Sequence, residues 1–264
     1  MKKNFPVELV YQVFSLLIAF ILVHALYVTV IRPQASSFLE QEAANMQANP
    51  DYEPQRSFFV VIKDYEQETC FVLMLWAFAI LGFKGKTTYN QQKLLEQDML
   101  RLPDDLPIGA EDTRDLAARL RALPDTVHEY LPPRALLTAV ERFAATRNVQ
   151  DVSTAARDIC ESEGERMESE LSIIRYIAWA IPSVGFIGTV RGIGDALGQA
   201  HRAVEGDITG VTSSLGVAFN STFIALVISI VLMFFIHQLQ LMQERLVLDS
   251  ERYIDHWFIR RLRT

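Results

Sequence analysis

The sequence predicts an all-α polytopic membrane protein with four transmembrane helices and a helical domain outside the bilayer. Two observations carry this. Half of the 264 residues are apolar and mean hydropathy is +0.15 although 22% are charged, so the two kinds of residue must be segregated along the chain. The apolar residues gather into four blocks, and between them prolines punctuate stretches of helical rather than alternating periodicity.

The first block, residues 9–31, runs for 23 residues interrupted only by Gln12, Ser15, His24 and Thr29. At about 1.5 Å per residue that crosses a hydrocarbon core of about 30 Å. The second, residues 70–83, has 14 residues, at the lower edge for a span, and a buried soluble helix is its alternative. The third core, residues 177–190, becomes a span over 173–197 if Arg191 and Asp195 are accommodated. The fourth, residues 213–237, has Asn220, Ser221, Thr222 and Ser229 as the polar side chains of its apolar core.

Basic residues flanking spans mark the cytoplasmic side. Lys2 and Lys3 precede the first span, Lys84 and Lys86 follow the second, Arg175 opens the third and Arg245 follows the fourth. These agree only if all four blocks cross, with residues 1–8 and 238–264 inside and residues 32–69 and 198–212 outside. The outside segments carry Glu40, Glu42, Asp51, Glu53, Glu205 and Asp207, which the orientation rule tolerates. Residues 84–172 form the inside domain, divided by Pro103, Pro107, Pro124, Pro132 and Pro133. Leu116, Leu120 and Leu123 recur there at helical spacing, and residues 149–171 are expected to run unbroken into the third span. The domain is expected to extend the membrane helices rather than fold as a separate module.

A net charge of −7 argues against a nucleic-acid partner, since the basic residues cluster only at Arg260, Arg261 and Arg263. Cys70 and Cys160 imply no disulfide framework. No metal-ligand spacing, nucleophile motif or phosphate-binding loop appears, so an enzyme and a resident cofactor are not expected.

Read at steps of three and four, the third span presents Pro182, Gly185, Thr189, Gly192 and Ala196 on one face, and the fourth Ala218, Thr222, Ala225 and Ser229. Gly188 with Gly192, and Gly194 with Gly198, add small-xxx-small spacings. Close helix packing explains such stripes. The alternative is a pore faced by Pro182, Gly185, Gly192, Ala218, Ala225 and Ser229, with Thr189 and Thr222 offering hydroxyls to a passing ion or titrating group. No Asp, Glu or Lys sits mid-span, so an ion carrier would lie on another chain. His24 is the one central titratable group, and such a lone histidine is more often a packed, hydrogen-bonded residue than a relay. Arg191 and Asp195 form an i, i+4 pair that reads as a structural ion pair or as an outer gate.

The stretch IAWAIPSVGFIGTVRGIGDA, with Pro182, Gly185, Gly188, Thr189, Val190, Gly192 and Ile193, resembles the MotA/TolQ/ExbB proton-channel family. The small-residue helix with Ala218 and Thr222 is similar to that family's second motif. The resemblance implies a bacterial inner-membrane subunit assembling as a homopentameric ring around two copies of a single-span ExbD/TolR/MotB-like partner. The partner's aspartate would carry a proton, or alternatively sodium, past Thr189 and Thr222 and so drive a motor. A substrate transporter and a membrane-anchored scaffold are the competing readings. The first would need inverted repeats and broken helices, and the second leaves the threonine stripes without a role.

Overall fold

The fold is that of a computed structural model, which describes residues 7–49, 52, 55, 57–100 and 107–263. The expectations resting on Lys2, Lys3, Asp51, Glu53 and Pro103 lie outside the described residues. Among those described no strand forms, and an isolated parallel bridge joins Ile108 to Leu262.

Helix α1 (Val7–Leu26) passes through a π-helical turn (Tyr27–Ile31) into α2 (Arg32–Ala48), followed by α3 (Phe58–Ile62) and α4 (Tyr65–Leu95). Three shorter helices come next: α5 (Thr113–Arg121), α6 (Asp125–His128) and α7 (Leu131–Thr146). Then come α8 (Val149–Glu170), α9 (Ser172–Gly198), α10 (Ala200–Val204) and α11 (Thr209–Trp257). Four stretches are long and apolar enough to cross a membrane: Glu8–Ala48, Tyr65–Leu95, Val149–Gly198 and Thr209–Arg261.

Two elements differ from expectation. The segment 32–69, read as a loop, is helical through Ala48. Pro33 sits in the first turn of α2, where a missing N–H is tolerated, and the Ala, Gln and Glu residues after it favour helix. The short block at 70–83 is the middle of a 31-residue helix whose ends are polar, which removes the doubt about its length. Between α8 and α9 one turn residue, Leu171, interrupts the expected continuity.

The chain divides into two compact units, residues 1–81 with 173–236 and residues 82–172 with 237–264. In the first unit, α1 and α2 bury Ala19, Val23, Tyr27, Ile31 and Ala35, a strict repeat of four. An α-helix drifts about 40° per such step, and the wider π turn takes up the accumulated drift. Tyr11 Oη donates to the Ala79 carbonyl at 3.0 Å and Trp76 Nε1 to that of Gln12 at 2.9 Å, tying α1 to α4. The outward surface is apolar, with Phe14, Ile21, Phe186, Phe223 and Ile230 each more than half exposed, as suits lipid or a neighbouring subunit.

The second unit is built the opposite way. Leu116, Leu120, Leu136, Val140, Phe143, Val152, Leu246, Ile254 and Phe258 form a hydrophobic core under a charged surface. The residues after 237, expected as a helical tail continuing the fourth span, contribute Leu246, Ile254 and Phe258 to this core. Phe258 meets Phe143 edge-to-face at 6.4 Å, and Tyr253 Oη accepts from the Met99 N–H at 3.0 Å. The domain is thus more than an inward extension of the spans: α5 and α7 give it a core of its own. Asn148 caps α8 by accepting from Gln150 N–H at 2.9 Å, and Arg147 ends α7 in the left-handed region. Buried Glu163 receives both Arg134 and Arg166. Burial opposes its ionisation, but the hydrogen bonds from Arg166 and Arg134 outweigh burial and hold its carboxyl below the ordinary range.

Candidate functional site

In the first unit α9 and α11 approach through glycine. A Cβ on Gly185 would lie 2.5 Å from Ala225 Cβ, one on Gly188 2.6 Å from Ser221 Cβ, and one on Gly192 2.8 Å from Ala218 Cβ and from the Ser214 carbonyl oxygen. Any side chain at these three positions would push the helices apart. Of the two small-xxx-small spacings, Gly188 with Gly192 is therefore used for packing. Gly194 and Gly198 have nothing within 4 Å of such a Cβ.

Within this chain the stripes expected to face a pore meet each other. Gly185, Gly192, Ala218, Ala225 and Ser229 are buried in the seam of one chain, and Pro182 is half-buried. Pro182 and Ser229 are linked by chemistry. Proline has no N–H to give the carbonyl four residues back, that of Ala178, and Ser229 Oγ donates to that same oxygen at 3.1 Å. The serine on α11 thus satisfies an acceptor that the proline on α9 leaves open.

Thr189 and Thr222 do come together. Their Oγ1 atoms are hydrogen-bonded to each other across the seam. Thr222 Oγ1 also reaches the Gly185 carbonyl at 3.1 Å, and Thr189 Oγ1 those of Ala218 at 3.1 Å and Gly185 at 3.3 Å. Two hydroxyl protons face more acceptors than they can serve, so the pair can rearrange without breaking the seam. Both side chains are half-exposed, leaving one flank of the pair open. A protonated carboxylic acid arriving there could donate to a threonine oxygen, and a carboxylate could accept from its hydroxyl.

Sequence reading missed the carboxylates at the head of α4. Glu66 grips Arg191 with both oxygens, at 2.7 Å to Nε and 2.8 Å to Nη2, whereas Asp195, the expected partner, stands 3.8 Å away. Glu68, nearly buried, bonds His24 Nδ1 at 2.7 Å and also binds Arg32. The π turn lets His24 and Arg32 share Glu68. Eight residues apart on an α-helix they would point about 80° from each other, and the extra winding brings them into line. His24 is thereby a hydrogen-bonded residue, as expected of it ahead of a relay. Glu66 and Glu68 were assigned to a loop because the hydropathy rise begins at Cys70; acidic residues heading an apolar run are themselves a helix-start signal. Among the described residues no cluster of metal-ligating side chains occurs.

Four apolar helical stretches long enough to span a bilayer, two of them joined by a glycine-mediated seam and a hydroxyl pair, make this a multi-pass membrane protein. Residues 129–252 match the model of the MotA/TolQ/ExbB proton channel family. The match covers just under half of the chain, and over that stretch the chain is similar to this family of proton channels. Neither the curated proteins nor the solved structures gave a match.

Proposed function

We propose that this chain is the ring-forming channel subunit of a proton-driven motor in a bacterial inner membrane, with both termini cytoplasmic and the second unit inside. In this reading five copies enclose two single-span partner helices, and a partner aspartate carries the proton past Thr189 and Thr222. The observation that carries it is the threonine pair: two hydroxyls joined across the seam, open on one flank, in spans with no Asp or Glu at their middle. Small residues keep the seam narrow, and the hydroxyls supply hydrogen bonds to the carrier in both of its protonation states. Proton is the expected ion and sodium the alternative. Arg191 and Asp195 retain a place near the outer mouth, now with Glu66 as the principal partner.

Replacing Thr189 or Thr222 by Val keeps shape and removes the hydroxyl. Loss of one hydrogen bond to a charged group, about 1.5 to 3 kcal/mol, should slow proton flux about tenfold to hundredfold if it is felt in the limiting step. The measurement is flux into vesicles holding the subunit with its partner, alongside native mass spectrometry for the pentamer. Normal flux through an assembled ring carrying both valines would refute the role, and a monomer or closed dimer would refute the ring.

A further inference from the structure

We infer that Glu66 is a positioning residue for ion transfer: by clamping Arg191 it cancels the guanidinium's field beside the Thr189–Thr222 pair, so that a carrier carboxylate is neither pinned there nor held ionised. The inference rests on the threonine reading above and adds a control on its electrostatics.

The geometry is specific. Glu66 Cγ lies 3.1 Å from where a Gly188 Cβ would stand, so the carboxylate reaches Arg191 by passing directly over the glycine that precedes Thr189. A larger residue at 188 would close that route. The grip is bidentate and Glu66 is the better buried partner, its side chain 12% exposed against 44% for Arg191. Arg191 follows Thr189 by two residues on α9, which turns it to the opposite flank of the seam, so its influence on the threonine flank is through the field. At an effective dielectric constant of about 20, a unit charge about 10 Å away shifts a carboxylate by on the order of one pH unit. A ring would repeat the charge in every subunit.

The other charges facing this pair are few. Asp195 on α9 stands 3.8 Å from Arg191 and is largely exposed. Asp64, ahead of α4, feels Arg191, Glu66, Lys63 and Arg32. Glu68, one turn from Asp64, is engaged by His24 and Arg32. On the α11 side, residues 215–236 contribute no ionisable group. Glu66 is thus the carboxylate that neutralises Arg191 at close range.

The test is the outside pH at half-maximal proton flux in vesicles carrying the subunit with its partner. Glu66→Gln leaves Arg191 underbalanced, stabilises the carrier's anion and should move the midpoint down by about one pH unit. Arg191→Gln leaves Glu66 unopposed and should move it up. The double variant should return near the wild-type midpoint, and Glu66→Asp, which keeps the charge, should stay close to it. A purely structural tie would instead give same-direction losses, no recovery in the double variant and a damaged Glu66→Asp, and that pattern would overturn the inference. Should Glu66→Gln fail to assemble, an upward shift in Arg191→Gln beside a near wild-type midpoint in Glu66→Asp supports the inference, and losses in both overturn it. Unaltered flux in the threonine variants would sink the threonine reading alone, whereas wild-type midpoints in Glu66→Gln and Arg191→Gln would sink the clamp alone.

Discussion

The α9–α11 seam and the core of the second unit solve the same packing problem with opposite materials. The seam uses Gly185, Gly188 and Gly192 against Ala225, Ser221 and Ala218, holds itself by hydroxyl-to-carbonyl bonds, and turns large apolar side chains outward. The second unit turns Phe143, Leu136 and Phe258 inward and charges outward. Where the surroundings are already apolar, burying a leucine gains nothing, so contact distance and polar satisfaction decide. Where the surroundings are water, buried apolar area decides.

Substitutions can break this contrast. The largest effect is expected at Phe143→Ala, which removes a fully buried ring and its partner contact to Phe258. It should cost about 3 to 5 kcal/mol, read as earlier thermal unfolding and faster proteolysis within residues 107–172. In the seam the sign of size reverses. Gly192→Ala adds one methyl against the backbone at Ala218 and Ser214 and should cost about 1 to 3 kcal/mol by overpacking, whereas Gly194→Ala, with open space around it, should be neutral or gain about 0.5 to 1 kcal/mol of helix propensity. Melting curves of the two alanine variants in detergent check this; equal shifts would erase the distinction between the glycines.

The smallest effect concerns charge. Glu163 is held below the ordinary carboxylate range in the folded unit, so its contribution is fully present above the unfolded value and is lost as pH falls through the folded one. Glu163→Gln should therefore flatten the acid limb of stability and cost about 1 kcal/mol near neutral pH, since Arg134 and Arg166 are partly exposed. An unchanged acid limb would show that the pair is not felt in stability.

The sequence made the spans and the threonine pair legible because both depend on local pattern: hydropathy over 9–31 and 213–237, and the three-and-four spacing that places Thr189 and Thr222 on matching stripes. What those stripes face was not legible, since small residues suit a pore wall and a packed seam alike. The charge clamp was also hidden. Glu66 and Arg191 lie 125 positions apart, and only the fold brings their forks together. In the second unit the prolines, expected to end or kink helices, include a pair that starts one: Pro132 and Pro133 lie in the first turn of α7. The docking of Phe258 and Tyr253 into that unit's core could not be read from a tail that looked like a simple continuation.

The π turn at Tyr27–Ile31 makes chain length itself a structural variable in this helix. Deleting one residue between 27 and 31 would let the segment relax to regular α geometry with its flanks nearly in register, whereas deleting one from the α-helical turns beside it would rotate everything before the cut by about 100° relative to Ala35. His24 would leave Glu68 and a different set of side chains would face α4, although composition and hydropathy had hardly changed. Descendants of this chain should tolerate many substitutions along residues 9–35 while keeping the residue count of the α-helical turns there fixed.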